Sequence, residues 1–158
     1  MTQVNPFEKA VLRKALRNSM NDIPEFDALF QYVRDQRLPA DDYAIFGSGP
    51  MIVRGYISGA NDLDIICRGD AWEIACSRGV VSYDERHDVS LASHCNGRVT
   101  FGTEWAIGEF DVDDLIDAAE IIDGLPFVKL RHVIDYKEAR ASAKDLVHLE
   151  LYRQATRN

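Results

Sequence analysis

The sequence predicts an α+β (α/β) fold in which helices flank a mixed, twisted sheet. Short apolar runs alternate with segments of helical spacing through the middle of the chain. Asn96-Gly97 predicts a tight hairpin, which adds antiparallel strands to that sheet. The 158 residues suit one domain, and an apolar content of 46% is enough for a core. We expect one domain over residues 1–158, with a helical segment at 1–40, the sheet core at 41–110 and C-terminal helices at 111–158.

Two helices are predicted in the first forty residues. In NPFEKAVLRKALRNS, Asn5 is a suitable N-cap and Pro6 occupies the first helical position. The segment IPEFDALFQYVRDQ repeats the helical spacing with Phe26, Leu29, Phe30 and Val33. A turn, RLPADD, then separates these helices from the sheet core.

Strands and helices alternate in the next segment. YAIFG is a short apolar strand, PMIVRGY is a short helix or turn, and DLDIICRG is a strand that ends at glycine. AWEIACSRG is helical, with Gly79 expected as its C′ residue, and VVSY is the following strand.

The Asn96-Gly97 turn joins two further strands, DVSLASHC and RVTFGTEW. A two-residue loop pairs Ser93 with Thr100 and, if the strands continue, Val89 with Glu104. Because alternate residues of a strand share a face, we expect Thr100 and Glu104 on the same side of the sheet.

The last third of the chain is predicted to be mainly helical. FDVDDLIDAAEII has helical spacing, and GLPFVK is a turn that leads into a short strand. LRHVIDYKEA and AKDLVHLELYRQ follow as two more helices. The predicted order of elements is therefore ααβαβαβββαβαα.

Composition and charge restrict the class of function. The formal net charge of −8 disfavours a protein that grips a polynucleotide through its phosphates, because such binding needs clustered Lys and Arg. A small anionic substrate remains compatible with this net charge, since a bound cation reverses the local electrostatic field at its site. No apolar run approaches the ~18 residues of a membrane span, and the first residues lack an apolar signal region. Three cysteines without paired spacing fit a reducing compartment, so we expect a cytoplasmic protein without a membrane partner.

Two aspartates interrupt the second apolar run, in DLDII. If this segment is a strand, Asp62 and Asp64 point to one side while Leu63 and Ile65 point into the core. Two carboxylates ~7 Å apart on one face repel each other unless a cation sits between them. Oxygen ligands of this kind suit Mg²⁺, which completes its shell with water and substrate phosphate. The alternative is that Asp62 is a turn acid and Asp64 a charge at a strand edge.

A glycine–serine turn follows the first strand of the core, in IFGSGP. Gly47, Ser48 and Gly49 precede a helix that Pro50 could open. Glycine lets backbone N–H groups approach a phosphate, and the helix N-terminus and the Ser48 hydroxyl add to such a site. Alone, this turn is a common loop. Together with the two aspartates it indicates a site for a nucleoside triphosphate with its magnesium.

The chain has a hydrophobic strand that is followed by Gly-Ser and then by Asp-hydrophobic-Asp. This pattern resembles that of the nucleotidyltransferase superfamily related to DNA polymerase beta. More narrowly, the chain resembles minimal bacterial nucleotidyltransferase-like domains of toxin–antitoxin and abortive-infection systems. Its ending, IDGLPFVKLRHVIDYKEARASAKDLVHLELY, is also similar to theirs, so the resemblance covers roughly residues 41–152. It implies that Gly47 and Ser48 bind phosphate and that Asp62 and Asp64 hold the metal.

The same resemblance implies a third carboxylate on a later strand, which completes the metal site and helps to deprotonate the attacking hydroxyl. Thr100 occupies the matching position and is not an acid. Glu104 is the expected substitute, while Glu109 and Asp111 from the following loop are alternatives.

The expected function is transfer of a nucleoside monophosphate from ATP or another triphosphate to a hydroxyl of a small molecule or protein. Lys137 and Arg54 are further candidates for nucleotide contacts, although pairing of Arg54 with a nearby acid is the favoured interpretation. The alternative function is a binding module of the same fold that has lost turnover and works on nucleotide or with a protein partner. A phosphotransferase or an unrelated α/β fold is a third hypothesis. A homo-oligomer is left open.

Overall fold

A computed structural model describes residues 23–60, 62–104 and 110–157 of the chain. These residues form one mixed sheet of seven strands in the order β3-β4-β5-β2-β1-β7-β6. The strands are β1 (Tyr43–Phe46), β2 (Leu63–Cys67), β3 (Val80–Asp84), β4 (Val89–His94), β5 (Val99–Gly102), β6 (Glu120–Ile122) and β7 (Leu125–Phe127). The pairs β2–β5 and β1–β7 are parallel, whereas the other neighbours are antiparallel.

Six α-helices accompany the sheet in the described residues. They are α1 (Ile23–Gln36), α2 (Gly49–Val53), α3 (Gly69–Arg78), α4 (Val112–Asp117), α5 (Leu130–Arg140) and α6 (Ala143–Thr156). The α+β class with a mixed sheet and flanking helices is thus confirmed.

Two apolar clusters place helices on both faces of the sheet. Helices α1 and α3 pack against one face, which Ile45, Leu63 and Ile65 present. Helices α4 and α5 pack against the other face, which Phe46 and its neighbours present, and α6 packs on α5. Because successive strand residues alternate, Asp64 and Thr100 belong to the face covered by α4 and α5.

The segment predicted as one helix, FDVDDLIDAAEII, forms a shorter helix and a strand. Helix α4 ends at Asp117, and Glu120–Ile122 pairs with β7 as an antiparallel hairpin. Asp123 and Gly124 connect the strands with φ of 51° and 80°. A two-residue Asp-Gly loop with both φ values positive favours a hairpin, and this signal outweighs the helical spacing before it.

The hairpin predicted at Asn96-Gly97 has the expected register, with Ser93 opposite Thr100. Its ladder stops at His94 and Val99, because Cys95 and the two residues after it form a 3₁₀ turn. The expected pairing of Val89 with Glu104 does not form, since β5 ends at Gly102.

Gly79 ends α3, but it does not take the left-handed conformation expected of a C′ glycine. Its φ is −121°, and a Cβ atom would lie 2.6 Å from the His94 ring and 2.8 Å from the Ser93 carbonyl oxygen. Close approach of the chain therefore explains the glycine. The first predicted helix, Trp105 and Glu109 lie outside the described residues. In the part of the chain that is described, no helix has both the length and the apolar character needed to cross a membrane.

Candidate functional site

The glycine–serine turn lies directly after β1 and leads into α2. Gly47 has φ of 60°, which an L side chain rarely adopts. Ser48 is the N-cap residue, and its carbonyl oxygen accepts hydrogen bonds from the Met51 and Ile52 amides at 3.0 Å. Helix α2 has only five residues. The dipole expected from the sequence is therefore small at this helix.

The backbone of Gly47 lies against the side chain of Asp64. Antiparallel pairing of Phe46 with Asp64 brings the end of β1 beside β2. A Cβ atom on Gly47 would stand 2.9 Å from Asp64 Oδ2. The predicted phosphate turn and the second predicted metal ligand are thus in contact, and only glycine leaves room for this approach.

Asp64 is a partly exposed residue whose carboxylate lies largely among protein atoms. No hydrogen bond or ion pair joins its side chain to another described residue. Burial, with a smaller contribution from the neighbouring Asp62, raises its pKa to about 6, although the charges of Arg140, Lys144 and Lys137 act in the opposite direction. Asp64 is therefore the kind of carboxylate that a bound cation would stabilise.

Lys137 is a fully buried cation on α5. Its Nζ atom lies 3.2 Å from Ser48 Oγ, 3.0 Å from His148 Nδ1 and 3.5 Å from Asp145 Oδ1. Burial lowers the pKa of Lys137 to about 8, although Asp145 opposes the shift. Burial also lowers the pKa of His148 to about 4, and the Lys137 charge adds to this effect. At neutral pH the lysine is thus the donor to a neutral imidazole.

Asp145 fixes the arrangement of α5 and α6. Arg140 donates from Nε and Nη2 to the two carboxylate oxygens, at 2.6 Å each. Ser142 forms a capping box with Asp145, through its hydroxyl and backbone amide. Burial acts to raise the pKa of Asp145, but Arg140 and Ser142 hold it well below the usual range. Lys137, Arg140 and Asp145 together leave one net positive charge behind Ser48.

The third-acid position is occupied by Thr100, as the sequence indicates. In the parallel ladder of β2 and β5, Thr100 is the partner of Asp64. Glu104 is exposed and lies two residues beyond β5, while Asp111 accepts a hydrogen bond from the Asp113 amide as the N-cap of α4. In the described residues no three His, Cys, Asp or Glu side chains are grouped to hold a metal. Asp62 precedes β2, which begins at Leu63, but it is near enough to act on the pKa of Asp64. Among the described residues, Asp62 and Asp64 are therefore the carboxylates considered for a cation at this site.

Two other candidates have structural partners. Arg54 donates to Glu120 at 2.9 Å and to the Pro50 carbonyl oxygen at 2.7 Å, which is the pairing that the sequence favoured over a nucleotide contact. Gly49 packs against Ile45, because a Cβ atom there would lie 2.4 Å from Ile45 Cγ2. Contacts within the protein therefore account for both Arg54 and Gly49.

Sequence reasoning missed His148 and Arg140. His148 has no motif spacing, and it meets Lys137 only because α5 and α6 form a helical hairpin with a short connection. Two adjacent helices with a two-residue connection could have indicated that such side chains meet. His94, the last residue of β4, is a buried histidine with a structural role. Its ring lies 2.6 Å from Tyr32 Oη and 2.9 Å from the Ala75 carbonyl oxygen, so it joins helices to β4.

No family profile, curated protein or solved structure matches the chain. The resemblance to nucleotidyltransferases therefore stays a hypothesis, and the geometry of Gly47, Ser48, Asp64 and Lys137 is the basis for interpreting the site.

Proposed function

We propose that the chain binds a nucleoside triphosphate with Mg²⁺ at the Gly47–Ser48 turn and Asp62–Asp64, as a nucleotidyltransferase related to the DNA polymerase beta superfamily. In this reaction an acceptor hydroxyl oxygen attacks the α-phosphorus. The bond to the β-phosphate breaks, pyrophosphate leaves and the hydroxyl proton is released. The acceptor is a small molecule or a protein. The contact of Gly47 with Asp64 is the observation that carries the proposal.

The residues present fit a magnesium ion. Asp64 has a carboxylate with no hydrogen bond or ion pair to a described residue, and burial and Asp62 raise its pKa to about 6 despite the opposing charges of Arg140, Lys144 and Lys137. Asp62 supplies a second carboxylate, so Asp62 and Asp64 would hold the ion, and water and phosphate oxygens would complete its shell. Bound there, the ion would neutralise charge that develops on the transferred phosphoryl group.

The protein's own residues would position the polyphosphate and provide an electrostatic field that favours it. Gly47 allows the backbone to approach the phosphates, and Ser48 offers a hydroxyl donor. Lys137, Arg140 and Lys144 are near enough to lower the pKa of Asp64, and their positive charge favours an anionic ligand at the same place. A polyphosphate with its cation matches this combination of acids and bases.

Titration calorimetry with ATP and Mg²⁺, followed by a pyrophosphate-release assay, tests the proposal. We expect binding that requires Mg²⁺, and release that Asp64→Asn abolishes. Asp27→Asn, at an exposed position on α1, is the matched control and should behave as the wild type. Absence of magnesium-dependent ATP binding by the wild-type chain would contradict the proposal.

A second candidate is a nucleotide-binding module without turnover, acting with a protein partner. Thr100 favours it, because the parallel register puts a neutral side chain beside Asp64 where the resemblance implies a third acid. Magnesium-dependent binding with no pyrophosphate release, for any acceptor hydroxyl offered, would support this candidate over the enzyme.

A further inference from the structure

The ammonium group of Lys137 has three hydrogens and three protein partners. Ser48 Oγ, His148 Nδ1 and Asp145 Oδ1 all lie within 3.5 Å of Nζ. Lys137 has 0% exposure, whereas Ser48 retains 8%. A direct contact between Lys137 and a ligand would therefore require the lysine to give up one of these partners.

The contact with Lys137 determines the role of the Ser48 hydroxyl. An ammonium group only donates, so Ser48 Oγ accepts from it and keeps its own hydrogen for another acceptor. Serine at an N-cap commonly accepts from an amide of the first helical turn, but the Ser48 side chain makes no such bond. No other hydrogen bond joins this hydroxyl to a described residue.

His148 and Asp145 also contact the ammonium group of Lys137. Both side chains come from α6 and are buried, at 7% and 0% exposure. His148 Nδ1 can accept from Lys137 only while the imidazole is neutral, and burial keeps it neutral. Asp145 is itself oriented by Arg140 and Ser142. The lysine is thus fixed in one place before any ligand binds.

We propose that Lys137 is a positioning residue that acts through Ser48. It fixes the Ser48 hydroxyl as a donor to a phosphate oxygen of the bound polyphosphate, and His148 and Asp145 keep the ammonium in place. The proposal rests on the proposed function. It differs from the direct nucleotide contact of Lys137 that the resemblance implies, because here only Ser48 touches the ligand.

We call this action of Lys137 through Ser48 the relay. A double-mutant cycle tests it, with the affinity for ATP and Mg²⁺ measured by calorimetry at constant pH. Ser48→Ala and Lys137→Met should each weaken binding about tenfold, the lower range for a hydrogen bond to a charged group. The double variant should bind within about twofold of Ser48→Ala. Lys144→Met removes an exposed charge near the site without touching Ser48, and its smaller effect should multiply with that of Ser48→Ala.

Each outcome of the cycle has a defined meaning. If Lys137→Met weakens binding tenfold again in the Ser48→Ala background, the lysine contacts the ligand directly and the relay is wrong. If the wild-type chain binds no ATP with Mg²⁺, the proposed function fails and the relay fails with it. If Ser48→Ala and Lys137→Met each weaken ATP binding to a similar extent and the double variant is no weaker than Ser48→Ala, the result supports the relay and not a direct contact of Lys137 with the ligand.

His148 provides a second test if Lys137→Met does not fold. His148→Asn keeps an acceptor near the place of Nδ1, so affinity should stay within about twofold of the wild type. His148→Leu removes the acceptor and should weaken binding by severalfold, with no further loss in the Ser48→Ala background. A purely structural role would lower the melting temperature of His148→Leu and leave the affinity unchanged, and that result would overturn the proposal.

Discussion

Gly47 meets two requirements that no other residue type meets together. Its φ of 60° is strained for L side chains, and a Cβ atom would stand 2.9 Å from Asp64 Oδ2. We expect Gly47→Ala to lower the free energy of unfolding by about 1–3 kcal/mol in urea denaturation. Gly55→Ala is the matched control, since Gly55 also has positive φ but nothing lies within 4 Å of its Cβ position. Equal losses for the two variants would show that the Asp64 contact adds nothing.

Individual residues were predictable where a local pattern marks them. Gly47 and Ser48 stand out as a small-residue turn after an apolar strand, and Asp64 stands out as a charge in a buried one. The contact of His148 with Lys137 was not predictable in this way, because it depends on how two helices pack. Asp145 is intermediate: its position at a helix start was evident, but its pair with Arg140 was not.

At the scale of elements, the residues of the β6–β7 turn determine the local structure more strongly than the helical spacing of the residues before it. Asp123 and Gly124 close the β6–β7 hairpin with positive φ at both positions. Gly124→Ala should lower the free energy of unfolding by about 1 kcal/mol, because alanine is strained at φ of 80°. Asp123→Asn should be nearly neutral, since asparagine tolerates this region. Urea denaturation measures both, and a neutral Gly124→Ala would argue against the hairpin.

The register of β2 and β5 allows a test of the third-acid position, which Thr100 occupies. Thr100→Asp would place a carboxylate beside Asp64, so the metal-free variant should unfold at a lower temperature than Thr100→Asn. Magnesium should then raise the melting temperature of Thr100→Asp more than that of the wild type, because three carboxylates bind the cation more tightly than two. A melting temperature that magnesium leaves unchanged in Thr100→Asp would argue against a cation site at Asp64.

For the whole molecule, the net charge of −8 conceals a local concentration of positive charge. Lys137, Arg140 and Lys144 come from α5 and α6, while Asp62 and Asp64 come from the sheet side. Composition gives only the net charge, whereas the packing of the C-terminal helices on the sheet brings these opposite charges to one place. Two groups in this region, the partly exposed Asp64 and the buried His148, titrate in overlapping pH ranges. As the pH rises, the titration of Asp64 lowers the stability and that of His148 raises it.

The pH dependence of stability should reveal both groups. The pKa of Asp64 is raised to about 6 in the folded protein, so its ionisation removes stability as pH rises from about 4 to 6. The pKa of His148 is lowered to about 4, so its protonation removes stability as pH falls from about 6.5 to 4.

We therefore expect the gain in unfolding free energy of Asp64→Asn over the wild type to grow with pH, to about 1–3 kcal/mol above pH 6. The corresponding difference for His148→Asn should grow in the opposite direction, as pH falls. Urea denaturation in EDTA from pH 4 to 7.5 measures the two difference curves, with Asp27→Asn as the exposed control. Curves of the same slope, or an Asp64→Asn curve independent of pH, would show that the folded protein does not disfavour the ionised form of Asp64 and would remove the electrostatic reason for a cation there.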